Sequence, residues 1–113
     1  MIIIKDKINN NELNKIAQKI FGDMIKAVVD IENEIIAIDA ELHSDLEAYL
    51  LENGSNQENL WGVNFYPELD GEDFLEFDSM INIRPSQNNR SRGVDDVQIC
   101  DKIKQIVKKR IIR

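Results

Sequence analysis

The stretch IKAVVDIENEIIAID, residues 25–39, decides the fold of this chain of 113 residues. β-Branched residues favour a pleated strand, and the stretch contains Val28, Val29, Ile31, Ile35, Ile36 and Ile38. The pattern predicts two strands joined at Glu32–Asn33, with Asn33 in the left-handed conformation of a tight turn. Because polar and apolar residues do not alternate cleanly, we expect both faces of this hairpin to be covered over much of their area.

Three helices are predicted around the hairpin, because apolar residues recur there at helical spacing. Their predicted ranges are residues 9–22, 43–54 and 96–111. Each start carries a capping box or a close variant, namely Asn9 with Glu12, Ser44 with Glu47, and Asp95 with Gln98. Glycines are expected to end the first two helices in the left-handed conformation.

The remaining strands are predicted over residues 2–4, 60–66 and 74–84. The last two form a second hairpin in which Phe65 faces Leu75 and Trp61 faces Ser79. One face of the long final strand is then apolar. The other face is polar and carries Glu76, Asp78, Asn82 and Arg84, with Asn64 opposite Glu76.

The element order βαββαββα predicts a single α+β domain over residues 1–113. We expect a largely antiparallel sheet with the helices on one face. The first six elements match the split βαβ, ferredoxin-like pattern, to which a strand and a helix are added.

Charge is distributed unevenly along the chain, whose net charge is −7. Residues 1–79 carry 5 basic and 18 acidic residues, whereas residues 80–113 carry 9 basic and 3 acidic residues. Two explanations fit this asymmetry. Either the two parts neutralise each other within the fold or across a dimer, or the basic part faces an anionic ligand.

The single cysteine, Cys100, excludes an intrachain disulfide and fits a reducing compartment. The apolar residues 2–4 are too few for a signal peptide, and no run approaches the ~20 residues of a membrane span. We therefore expect a cytoplasmic protein that does not enter a membrane. Cys100 falls on the apolar stripe of the last helix, where a small core residue is expected.

The sequence INIRPSQNNRSRGVDD, residues 81–96, which we term the arginine loop, brings three arginines together with no acid between them. Guanidinium groups suit phosphate and carboxylate, and the loop ends at a predicted helix start, where free N–H groups favour anions. We expect a small anionic ligand within residues 84–94, bound by Arg84, Arg90 and Arg92. Neutral hydrogen bonds would come from Asn82, Asn88, Asn89 and Ser91, and Glu76 and Asp78 would orient the arginines.

Two alternatives stand beside this hypothesis. If the arginines pair with acids instead, the basic part would serve a homodimer or a regulatory interaction module. Glu76 and Asp78, on one strand face, could also act in a small hydrolase, with the single histidine, His43. No catalytic spacing is present that decides whether the chain is an enzyme.

Other ligand classes are disfavoured by the sequence. A pI near 4.7 opposes attraction to nucleic acid. The sequence contains no phosphate-binding loop, no dinucleotide fingerprint and no metal-ligand spacing. We therefore expect no cofactor and no metal.

Three segments carry a resemblance to a known family: GDMIKAVVDIE, ENLWGVNFYPE and, most specifically, EFDSMINIRPSQNNRSRGV. With them the chain resembles a family of small prokaryotic proteins classed as a domain of unknown function. The resemblance spans nearly the whole chain. It implies a compact domain that can stand alone, and it implies no activity, substrate or cofactor.

Overall fold

The predicted hairpin lies at the middle of a five-stranded antiparallel sheet in the computed structural model, which describes residues 1–113. In chain order the strands are β1 (Ile2–Ile4), β2 (Ile8–Asn9), β3 (Ile25–Asp30), β4 (Ile35–Ile38), β5 (Leu60–Phe65), β6 (Leu75–Glu76) and β7 (Ile111–Ile112). The helices are α1 (Asn10–Ile20), α2 (His43–Glu52) and α3 (Val97–Arg110). The α+β class and the three helices are confirmed, whereas β2 and β7 were not predicted.

The strand order of the sheet is β1-β4-β3-β5-β6, and a separate two-stranded sheet pairs β2 with β7 in parallel. β1, α1 and β3 form a βαβ unit split by β4, as predicted. The full ferredoxin-like arrangement is wrong, because β5 lies beside β3 rather than beside β1. β3 pairs with β4 on one side and with β5 on the other, and it is buried along almost its whole length. A strand this apolar would be unsuited to the exposed edge of a sheet.

Helices cover both faces of the sheet, so the prediction that they lie on one face is wrong. α1 and α3 pack against the face that carries Trp61, Val63 and Phe65. α2 packs against the opposite face through Leu46 and Leu50. The physical reason is the apolar character of both sides of the hairpin, each of which needs a cover. The expectation of a hairpin covered on both faces is thereby confirmed.

The second hairpin keeps the predicted register but is much shorter than predicted. Phe65 pairs with Leu75, and Asn64 pairs with Glu76. The strand predicted over residues 74–84 nevertheless ends at Glu76, and residues 80–82 form a short 3-10 turn.

Asn82 takes the place of the missing strand. Its Oδ1 accepts a hydrogen bond from the Gly62 N–H at 2.8 Å, and its Nδ2 donates to the Gly62 carbonyl at 2.9 Å. The backbone of a neighbouring strand would make the same kind of bonds. Because Gly62 has no side chain, Ser79 can pass directly over it, and the main chain leaves the sheet at this point.

Two of the three helix starts differ from prediction. α1 begins as predicted, since Asn9 Oδ1 accepts from the Glu12 N–H at 2.8 Å and Asn9 Nδ2 donates to the Glu12 carboxylate at 2.9 Å. α3 is capped by Asp96, because Asp95 instead accepts hydrogen bonds from the arginine loop. Ser44 does not cap α2, because it already lies inside the first turn.

The turn between β3 and β4 is held by the buried carboxylate of Asp30. This carboxylate accepts from the N–H groups of Glu32 and Asn33, at 2.9 and 3.0 Å, and from the Ser55 hydroxyl at 2.6 Å. The left-handed residue is Glu34, with φ 56°, and not Asn33 as predicted. Because Asp30 binds the N–H groups of Glu32 and Asn33, the residue that takes the left-handed conformation is the next one, Glu34.

All four ion pairs join the acidic front of the chain to its basic end. Lys102 and Lys109 each lie 3.3 Å from the carboxylate of Glu34. The other two pairs are Arg92 with Asp78 and Arg113 with Asp70. The two oppositely charged parts therefore meet within one chain, as the first of the two explanations predicted.

Gly62→Ala is expected to destabilise the fold by about 1–3 kcal/mol, the usual cost of an overpacked site. A Cβ atom at Gly62 would lie 2.5 Å from Ser79 Cβ and 2.6 Å from Ser79 Oγ. Urea unfolding followed by circular dichroism measures the loss. Gly93→Ala is the matched control, because the nearest atom to its added Cβ would be 3.5 Å away. Equal stability of the two variants would contradict the close contact at Gly62.

Candidate functional site

The arginine loop is held by hydrogen bonds among its own polar residues. Asn89 is buried, and its amide donates to the carbonyls of Asn82 and Gly93 at 2.8 and 2.9 Å. Its Oδ1 accepts from the Asp95 N–H at 2.8 Å. Ser91 donates to the Asp95 carboxylate at 2.6 Å, and this bond lowers the pKa of Asp95. Three of the four neutral residues expected to bind a ligand therefore hold the loop itself.

Arg84 holds the arginine loop against the start of β5. Its guanidinium donates to the carbonyl of Gln57 at 2.6 Å and to the carbonyl of Leu60. It also lies 4.2 Å from the centre of the Trp61 ring, within the range of a cation–π contact. Burial lowers the pKa of Arg84. These contacts assign Arg84 a structural role.

The other two arginines remain at the surface. Arg92 Nε donates to Asp78 Oδ1 at 2.5 Å, and the two side chains are 54% and 41% exposed. This hydrogen bond raises the pKa of Arg92. Arg90 makes no ion pair, and Asn88, left-handed with φ 59°, makes no side-chain hydrogen bond. Of the three guanidinium groups, only that of Arg92 lines the cleft described next.

A cleft of about 470 Å³ opens beside Arg92, between the N-terminus of α2 and the sheet. We term it the α2 cleft. Its polar side chains are Lys26, His43, Ser44, Asn64, Tyr66, Glu76, Asp78, Ser79 and Arg92, and its apolar ones are Met24, Leu42, Met80 and Ile81. Small-molecule sites usually measure about 300–1,000 Å³, so the α2 cleft is large enough for a small ligand.

Three polar side chains form a row along the sheet side of the α2 cleft. The strand register pairs Lys26 with Asn64 and Asn64 with Glu76, so all three project from one face of β3, β5 and β6. Neighbouring strands lie about 4.8 Å apart, which separates the backbones of Lys26 and Glu76 by roughly 10 Å. The row thus runs from an ammonium group through an amide to a carboxylate.

Glu76 is held by two uncharged donors. Its Oε1 accepts from Asn64 Nδ2 at 2.9 Å and from the Tyr66 hydroxyl at 3.0 Å. Burial, and after it the hydrogen bond to Glu76, raises the pKa of Tyr66. Glu76 makes no hydrogen bond to an arginine, so of the two expected orienting acids only Asp78 contacts one.

His43 lies buried in the wall of the α2 cleft. Its Nε2 is 2.9 Å from the Val63 carbonyl, and because a carbonyl only accepts, Nε2 carries the proton of the neutral ring. Burial has the largest effect on this group and lowers the pKa of His43. His43, Glu76 and Asp78 therefore line one cleft, although no three His, Cys, Asp or Glu residues are grouped to hold a metal. The hydrolase alternative stays a prediction.

The N-terminus of α2 leaves two backbone donors free. Leu42 precedes the helix, and no side chain caps it. The N–H groups of His43 and Ser44 have no acceptor within the chain, and both residues line the α2 cleft. Free N–H groups at a helix start, together with the helix dipole, favour a negatively charged group.

A family comparison covers almost the whole chain. The family model described as "Protein of unknown function (DUF5674)" matches residues 2–110. The chain belongs to the DUF5674 family. This membership confirms the resemblance to a family of unknown function. No curated protein and no solved structure is significantly similar to the chain, and none of its helices combines the length and apolar composition that crossing a bilayer requires.

The sequence pattern of this DUF5674 protein does not mark Lys26, Asn64 and Tyr66 as site residues. Lys26 and Asn64 interrupt runs that are otherwise apolar, residues 25–29 and 60–65, and this interruption was the available signal. Their neighbourhood depends on the pairing of β3 with β5, which the predicted topology did not contain. The residues that line the α2 cleft come from five separate segments of the chain, so no local motif marks them.

Arg84→Ala is expected to lower the free energy of unfolding by about 1–3 kcal/mol, because it removes the hydrogen bonds to the carbonyls of Gln57 and Leu60 and the contact with Trp61. Arg90→Ala removes an exposed side chain without an ion pair and should leave stability unchanged. Urea unfolding of both variants makes the comparison. A stable Arg84→Ala variant would show that this arginine is free for a ligand after all.

The His43 ring is expected to titrate below its ordinary pKa of 6.5 in the folded protein. As the pH falls below that value, only the unfolded chain takes up the proton readily, so acid destabilises the fold through this group. The chain has one histidine, so its imidazole resonance in a proton NMR titration reports the value directly. A midpoint at or above that of the urea-unfolded chain would contradict the buried neutral ring.

Proposed function

We propose that the α2 cleft binds a small ligand through a phosphate or carboxylate group. The observation that carries this proposal is the free N–H pair of His43 and Ser44, which borders a cleft lined by Lys26 and Arg92. Backbone donors at a helix start and two cationic side chains are groups that bind such anions. A second observation is independent of the helix: Asn64 lines the same cleft, and its buried Oδ1 has no hydrogen-bond partner. Such groups call for an unseen partner.

Both cations are available to a ligand. Lys26 makes no ion pair and lies 5.3 Å from the centre of the Phe21 ring. Arg92 is paired with Asp78, but water and salt screen an exposed pair of this kind, which therefore contributes little to stability. A bound phosphate or carboxylate offers Arg92 a stronger, charge-assisted partner in a less exposed place.

The proposal places the anion at the edge of the arginine loop rather than in its middle. Arg84 keeps its structural contacts, and Asn82, Asn89 and Ser91 keep the loop in shape. Arg90 and Asn88 would join only a ligand that extends out of the α2 cleft. The loop then serves the site by holding Arg92 beside the start of α2.

Inorganic phosphate, sulfate and adenosine monophosphate, added separately in thermal-shift titrations, are the probes that test the proposal. At least one is expected to raise the melting temperature, since a ligand that binds only the folded state stabilises it. Lys26→Gln and Arg92→Gln each remove one cation and should weaken the binding of that probe about 10-fold or more.

Lys15→Gln is the matched control, because Lys15 is exposed on α1, which covers the other face of the sheet. Its binding curve should match that of the wild-type chain. If Arg90→Ala weakened binding while both cleft variants bound normally, the ligand would sit on the arginine loop and the cleft would be rejected. A melting temperature that ignores all three anions would reject the anion site.

A further inference from the structure

We infer that the ligand of the α2 cleft is a compact zwitterion, which carries an ammonium group beside its phosphate or carboxylate. The inference rests on the proposed function and names the ligand class. The geometry that points to it is the row of Lys26, Asn64 and Glu76. In this row an unpaired ammonium group and an unpaired carboxylate flank an amide oxygen that has no partner.

The Asn64 oxygen has no donor within the chain as long as the His43 ring beside it is neutral. Asn64 Nδ2 donates to Glu76 Oε1 at 2.9 Å and to the Asp78 carbonyl at 3.2 Å, and these two acceptors fix the orientation of the amide. Asn64 is 5% exposed, and its Oδ1 is left without a hydrogen bond. A doubly protonated His43 ring could bond to it, but burial opposes that second proton by lowering the pKa of His43. A donor on a ligand would satisfy this oxygen.

The two acids beside Asn64 also have open oxygens. Glu76 uses Oε1 for its two uncharged donors, and Asp78 uses Oδ1 for Arg92. Glu76 Oε2 and Asp78 Oδ2 make no hydrogen bond within the chain. These open acceptors would repel a simple anion and would attract an ammonium group, which has three donors and no acceptor.

The two ends of the row suit the two ends of one small molecule. Lys26 and the free N–H groups of α2 would take the anionic group. Asn64 Oδ1 and Glu76 would take the ammonium group. These two residues lie one and two strands away from Lys26, and neighbouring strands are about 4.8 Å apart. A separation of a few atoms between the two charged groups is therefore sufficient, and no long linker is needed.

Isothermal titration calorimetry with two matched pairs of probes tests the inference. Ethyl phosphate is compared with 2-aminoethyl phosphate, and propionate with β-alanine, so that each pair differs only by the ammonium group. The aminated member of at least one pair is expected to bind about 10-fold or more tightly, which is the effect of one charge-assisted hydrogen bond. The pair that shows the effect identifies the anionic group.

Glu76→Gln should abolish this preference, because the amide keeps an acceptor for Asn64 but loses the charge. Glu68→Gln is the matched control, since Glu68 is exposed and lies outside the α2 cleft, and it should retain the preference. If ethyl phosphate and propionate both bound as tightly as their aminated partners, the inference would be wrong while the proposed function stood. A preference that survives in Glu76→Gln would also overturn the inference, and failure of all four probes would reject it together with the proposed function.

Discussion

The pairing of the Asn82 side chain with Gly62 is the interaction on which the rest of this structure depends. One amide supplies a donor and an acceptor to the β5 backbone, at 2.9 and 2.8 Å. The main chain is therefore released from the sheet after Glu76, although β5 still needs partners beyond that point. The released segment runs through Asp78 and Met80, both of which line the α2 cleft. The cleft exists because a side chain, rather than a strand, completes the edge of the sheet.

The same amide also positions the arginine loop. Asn82 Nδ2 donates to the Arg92 carbonyl at 2.9 Å in addition to the Gly62 carbonyl, so it ties the backbone of Arg92 to β5. Arg84 lies two residues after Asn82, and its guanidinium stacks on the ring of Trp61, the residue that precedes Gly62 in β5. With Asn89 bonded inside the loop, little freedom remains for the three guanidinium groups to meet. The cluster of arginines in the sequence thus becomes one structural arginine, one surface arginine and one at the edge of a cleft.

Local signals in the sequence predicted the elements well, because helical spacing, the Asn9 cap and the Phe65–Leu75 register each depend on a few neighbouring residues. They failed where the Asn82 side chain, instead of a strand backbone, makes the hydrogen bonds to β5. Nothing in the alternation of residues 74–84 distinguishes a strand from a segment that binds β5 through one side chain. The cleft was harder still to predict. Lys26 and Glu76 come from strands on opposite sides of β5, and only the strand order brings them to one surface.

The charge of the chain bears directly on what the α2 cleft can hold. All four ion pairs join the acidic front to the basic end, and they leave Lys26 and Glu76 unpaired. A net charge of −7 repels anions approaching from solution, but at physiological salt screening limits that repulsion to about 8 Å. Binding must then rest on donors inside the cleft. A ligand with charges of both signs is repelled less at long range and can use both unpaired groups at short range, whereas a simple anion can use only one.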